Sequence, residues 1–221
     1  MPGVRSGNFK VAVLVSGGGT NLAALIKSQQ EQQLGPARLC AVIASRPQTL
    51  ALDRAKAAGL PAAVVSRKSY PSQAAYDAAL LQTLAVYQPD LVVLAGFLTR
   101  LGPDFIHHYD RRIINIHPSL LPSFGGSGFY GLRPHQGVLD YGCKITGATV
   151  HFVDAAYDHG PILLQKPVAV QPEDTPELLQ ARVMREAEWI ILPACVRAIA
   201  ENRVLWKDGR VYITKQQVQP D

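Results

Sequence analysis

KVAVLVSGGGTN, residues 10–21, decides the fold. Its first six residues form a β-branched apolar run that reads as a buried strand, and the run stops at three glycines. Asn21–Gln33 follows with Leu22, Leu25 and Ile26 on one helical face. A strand, a glycine turn and a helix in that order open a βαβ unit, and the same alternation continues downstream. Strands are expected at Arg38–Ala44, Ala62–Val65, Leu91–Ala95 and Arg112–Ile116. Helices are expected at Thr49–Ala58, closed by Gly59 and Pro61, and at Ser72–Tyr87 with Tyr76, Leu80, Leu84 and Tyr87 spaced by three or four. The fold class is therefore α/β: one domain over residues 1–221, with an open, mostly parallel, twisted, Rossmann-like sheet covered by helices on both faces.

Beyond Ile116 the texture changes. Pro118–Pro134 is rich in proline and glycine and reads as a long loop, which inside a compact domain is usually functional. Ile145–Val153 and Ile162–Val170 read as two more strands, and Thr175–Glu201 as one long final helix. Asp208-Gly209 turns a terminal hairpin between Val204–Trp206 and Val211–Ile213. Residues 1–9 and 215–221 read as frayed tails.

Composition narrows the function classes. Hydrophobic residues make up 48% of the 221 and charged residues 18%, ordinary for a globular protein and against disorder or a coiled coil. The longest nearly pure apolar run, Leu91–Leu98, is too short to span a bilayer. The net charge of +5 is scattered, with no basic run longer than Arg67-Lys68 or Arg111-Arg112, so neither a nucleic-acid nor a membrane partner is expected. Cys40, Cys143 and Cys195 are odd in number and widely spaced, as for reduced thiols in a cytoplasmic protein. The six histidines include no HExxH and no Cys at ligand spacing, so no metal is expected, and His107-His108 reads as the end of a surface helix.

Three segments carry chemistry. At Ser16–Asn21 the glycines free the backbone to turn its amides outward at a helix N-terminus, which suits a phosphate. No Lys follows, so it is not a Walker A loop. Leu22 stands where a dinucleotide fingerprint needs Gly or Ala, and Ser45-Arg46 stands where that fold ends its second strand in an acid. The alternative is a tight turn with Thr20 or Asn21 as helix cap. Asn115-Ile116-His117-Pro118 lies at the carboxyl end of a strand, where open α/β sheets bind ligands. Alternation puts Asn115 and His117 on one side, about 6–7 Å apart. An amide beside an imidazole can hold an oxyanion and move a proton. Asp158, on spacing alone, reads as a turn residue before His159-Gly160-Pro161. Set near His117, it would raise the pKa of the ring.

The stretches VAVLVSGGGTNLAALI (11–26), LVVLAGFLTRL (91–101), IINIHPSLLPSF (113–124) and TGATVHFVDAAYDHGPILLQ (146–165) together resemble the folate-dependent phosphoribosylglycinamide formyltransferases of purine synthesis, over about residues 10 to 200. The cousins of that family carry additional domains, for which 221 residues leave no room. The resemblance implies transfer of the formyl group of 10-formyltetrahydrofolate to the amine of glycinamide ribonucleotide, with the folate as cosubstrate. It implies Asn115, His117 and Asp158 as the catalytic trio and Gly19, Thr20 and Asn21 as the phosphate site. It implies Glu188 as an acid on the acceptor, and Phe97, Leu98, Thr99, Arg100, Leu101, Asn115, Val153, Asp154 and Asp158 around the folate. Departures from the pattern are the shifted Arg100, Gln73 in place of Arg, the insert Gly125–Gly131, one extra residue between Val183 and Glu188, and His159 in place of a small residue. A deformylase or amino-sugar formyltransferase would use the same trio, and a non-catalytic nucleotide-binding module would share the sheet. A monomer and a homodimer both fit.

Overall fold

In a computed structural model the described residues are 8–215. A seven-stranded sheet has the order β3-β2-β1-β4-β5-β6-β7. Five strands are parallel: β1 (Phe9–Val15), β2 (Ala37–Ala44), β3 (Ala62–Val64), β4 (Leu91–Leu94) and β5 (Ile113–His117). Strands β6 (Ile145–Phe152) and β7 (Ile162–Ala169) run antiparallel at the far edge.

Strand β1 shows why the sheet is covered twice. Residues 11–15 are fully buried. Val11, Val13 and Val15 pack with Leu22 and Leu25 of helix α1 (Thr20–Gln30) and with Leu192 and Val196 near the chain's end. Ala12 and Leu14 face the other side, with Tyr76, Leu80 and Leu84 of α3 (Gln73–Ala85), which follows α2 (Leu50–Ala57). The period of two along a strand thus serves two helical layers. Each fully buried Leu contributes roughly 1.5–3 kcal/mol.

Several expectations need correction. Phe9 already pairs with Ala37, so the N-terminal tail cannot include it, while residues 1–7 and 216–221 of the expected tails lie outside the described residues. A short helix, α4 (Pro103–His108), ends in the His pair as expected. The long loop stops at Leu132, because α5 (Arg133–Tyr141) begins there, with Pro134 in its first turn and Gly142 closing it at φ 75°. The final helix is broken. Its α6 (Pro176–Val183) passes through a π-helical turn at Met184–Glu188 before α7 (Trp189–Ala200). That wide turn falls on the segment where an extra residue is expected, and such turns are common at functional sites. The terminal hairpin, β8 (Val204–Lys207) with β9 (Arg210–Ile213), forms as read. Among the described residues no helix is long and apolar enough to cross a membrane.

Candidate functional site

The parallel strands deliver their carboxyl ends to one edge, and the antiparallel neighbour of β5 completes the site there. In the β5–β6 register Asn115 lies opposite His151, and His117 opposite Thr149. The Asn115 amide nitrogen is 3.1 Å from His151 Nε2 and 3.4 Å from Asp158 Oδ1. Asp158 Oδ2 is 3.4 Å from His117 Nδ1. The residue that spacing alone makes a turn is indeed one, with φ 50°, and it still projects its carboxylate between two imidazoles. The return of the loop at Gly160 is tight enough that a Cβ there would collide with the Phe152 carbonyl. The backbone amide of Gly126, in the expected insert, donates to Asp158 Oδ2 at 2.9 Å. The trio thus converges, and it is joined by His151, which sequence reasoning passed over.

Both nitrogens of His117 face oxygen: Nδ1 meets Asp158, and Nε2 lies 2.9 Å from the Phe124 carbonyl. A neutral ring carries one N–H, so one lone pair confronts an oxygen, and only the imidazolium satisfies both. Burial nevertheless wins. It holds the His117 pKa below its ordinary value, although Asp158 and the Phe124 carbonyl pull upward. Asp158 does pull the ring upward as expected, but the burial of a residue only 3% exposed outweighs it and the net shift is downward. Asp158 is itself partly buried, which pushes its carboxyl up, but bonding from His151, the His117 charge and the Gly126 amide outweigh that and keep it below the usual range. The carboxylate is thus favoured at Asp158 and the neutral ring at His117.

Two cavities share this centre. A narrow cleft of ≈ 90 Å³ is lined by Phe97, Thr99, Arg100, Leu101, Asn115, Val153, Asp154 and Asp158, with Leu94, Ile106, His151 and Tyr157 added. Arg100 lays its guanidinium 5.6 Å from the Tyr157 ring centroid. Leu98 is the exception among the expected folate residues: it is 59% exposed, faces the neighbouring cavity instead, and its backbone amide is tied to Ser16 Oγ at 2.8 Å. The larger cavity, ≈ 570 Å³, runs from Gly17–Asn21 past Asn115 and His117 to Glu188, with the 126–131 loop as one wall. Phe97, Thr99, Asn115, Tyr157 and Asp158 line both.

At the glycine end, Gly19 has φ 69°, and a Cβ there would stand 2.7 Å from Ala51 Cβ. Only glycine gives the turn both its left-handed backbone and its approach to α2. Across the cavity the Asn21 amide donates to Glu188 Oε2 at 2.6 Å, while Asn21 Oδ1 is buried with no partner. Glu188 is 5% exposed and burial pushes its pKa up to about 7, only partly offset by Asn21. Among the described residues no group of three or more His, Cys, Asp or Glu is set to hold a metal.

Comparison with known proteins follows the same outline. The family model described as formyl transferase matches residues 9–196. The trifunctional purine biosynthetic protein adenosine-3 of Bos taurus is 42% identical over 94% of this chain, which spans 20% of that protein. The phosphoribosylglycinamide formyltransferase of Haemophilus influenzae is 40% identical over 92% of this chain and 93% of its own length. The crystal structure of glycinamide ribonucleotide transformylase 1 from Symbiobacterium toebii superposes with a TM-score of 0.89, at 40% identity, over 96% of each chain.

Proposed function

The chain belongs to the formyl transferase family, which uses formyltetrahydrofolate as cosubstrate, and from that premise we propose that it is a phosphoribosylglycinamide formyltransferase of purine synthesis. It acts as one domain and moves the formyl group of 10-formyltetrahydrofolate to the amine of glycinamide ribonucleotide. One observation carries the reading: a cleft and a larger cavity meet at Asn115 and Asp158, and the larger one ends at a glycine turn leading into a helix N-terminus, a place suited to an anion. The folate pterin enters the cleft between Phe97–Leu101 and Val153–Asp158, and the acceptor lies along the cavity with its phosphate on Gly19, Thr20 and Asn21. Glu188 faces the glycinamide portion.

The acceptor amine attacks the formyl carbon, and a C–N bond forms as the carbonyl π pair moves onto oxygen. The Asn115 amide donates to that oxyanion. One such donor lowers the barrier by about 3–4 kcal/mol. The new ammonium proton passes to His117, directly or through Asp158, and the ring that was held neutral becomes the imidazolium that both of its oxygens favour. The same proton then reaches folate N10, the C–N10 bond breaks, and tetrahydrofolate and the formylated amine leave. No covalent intermediate on the protein is required. His151 Nε2 pairs with the Asn115 amide at 3.1 Å and so aims it.

The decisive experiment follows tetrahydrofolate formation optically from 10-formyltetrahydrofolate, with and without glycinamide ribonucleotide. Turnover strictly dependent on the acceptor is expected. Equal turnover with water alone would make the protein a deformylase, and no turnover with either would leave a binding module.

A further inference from the structure

The glycine turn is held from behind as well as shaped from within. Three successive carbonyls are each occupied on the α2 side. Arg46 Nε donates to the Ser16 carbonyl at 2.6 Å, the Ala51 amide to the Gly17 carbonyl at 3.3 Å, and Arg54 Nε to the Gly18 carbonyl at 2.9 Å. In a planar trans peptide the carbonyl and the following N–H point in opposite directions. Anchoring these carbonyls therefore aims the N–H groups of Gly17, Gly18 and Gly19 the other way. That other side is the cavity, which Gly17–Asn21 line and neither arginine does. None of the three amides donates to a backbone carbonyl among the described residues. Ser45 supports the same end of the turn, its hydroxyl bonding Ser16 Oγ at 2.7 Å. Ser45-Arg46 is the pair that stands where a dinucleotide fold keeps an acid, so the local charge has the sign an anion requires.

We propose that Arg46 and Arg54 are positioning residues for the acceptor's phosphate: they pin the peptide planes of Gly17–Gly19, which lead into the Gly19, Thr20 and Asn21 amides that hold the anion, and they add positive potential behind it. The assignment rests on the reading that the larger cavity takes a phosphorylated acceptor. Neither side chain touches the reacting atoms, so the effect belongs to binding alone.

The test uses Arg46→Gln, Arg54→Gln and Arg54→Lys, with inorganic phosphate as a competitive inhibitor against the acceptor. Arg46 and Arg54 sit on different segments, so loss of one variant to misfolding leaves the other. In each Gln variant the acceptor KM and the phosphate inhibition constant should rise together, roughly five- to tenfold, the loss of one charge-assisted hydrogen bond. The kcat and the folate KM should stay near wild type, and Arg54→Lys should lie between. Unchanged acceptor KM and phosphate inhibition in both Gln variants would overturn the assignment while leaving the phosphate reading intact. A lower kcat and a raised folate KM alongside the weaker acceptor binding, with a lower Tm, would also overturn it, as a general structural effect. If phosphate fails to compete in the wild type, the phosphate reading falls and takes this assignment with it.

Discussion

Replacing Asp158 by Asn removes one charge while keeping the shape. The Asn carbonyl can take the place of Oδ2, accepting from the Gly126 amide as before, while its NH2 replaces the Oδ1 that lies 3.4 Å from the Asn115 amide. What disappears is the carboxylate 3.4 Å from His117 Nδ1. At that distance the attraction on an imidazolium is about 1.2 kcal/mol with the dielectric of water and about 5 kcal/mol at an effective dielectric near 20. These limits correspond to roughly 1 to 3.5 pH in the midpoint of the ring. The sign is fixed: losing a neighbouring anion lowers an imidazole pKa that burial already holds below its ordinary value. The His117 ring resonances, followed by NMR against pH and assigned with a His117 variant, should titrate at least about 1 pH lower in Asp158→Asn. The acid limb of kcat/KM should move down with them, and kcat should fall by roughly 100-fold or more as the proton route is lost. A midpoint that stays put or rises would refute the coupling.

Other perturbations address the remaining residues. Asn115→Ala removes the amide assigned to the oxyanion, and steady-state kinetics should show kcat lower by roughly 100-fold or more. Gly19→Ala imposes a left-handed backbone cost of about 1–2 kcal/mol plus the collision with Ala51, so acceptor KM should rise at least about tenfold. Gly18→Ala, with nothing within 4 Å of the new methyl, should be mild in the same assay. Glu188 binds its proton more tightly folded, at about 7, than unfolded, at 4.5. Its contribution is complete below the unfolded value and fades as pH rises through the folded one, by about 3 kcal/mol in total. Denaturant unfolding across that window should show a wild-type stability that declines relative to Glu188→Gln.

The parallel half of the sheet was legible because β-branched runs end in glycine or proline and alternate with helical stripes. Asn115 and His117 were legible for the same reason: alternation on one strand needs no partner to interpret. Asp158 was legible only through the family likeness, since a turn residue's neighbours are set by tertiary packing. His151 was hidden in the register of an antiparallel pair, which no local pattern encodes. Helix α5 escaped because it starts inside a Gly/Pro-rich stretch and buries little more than Pro134, His135 and Val138. The sign of the His117 shift depended on how deeply the ring lies, a quantity that a neighbouring charge cannot reveal.

The wide turn at Met184–Glu188 works as a phase setting. Each α-helical residue advances about 100° around the axis, so one additional residue rotates everything beyond it by that amount. Leu179 and Val183 on one side and Leu192 and Val196 on the other all reach the same core, and Met184 and Glu188 between them open onto the larger cavity. Shortening this segment by one residue would restore regular winding and force a choice: either the upstream stripe leaves the core, or the carboxylate swings off Asn21. Length variation that surface loops absorb freely should therefore be rejected at this point, even though no bond to a reacting atom is broken.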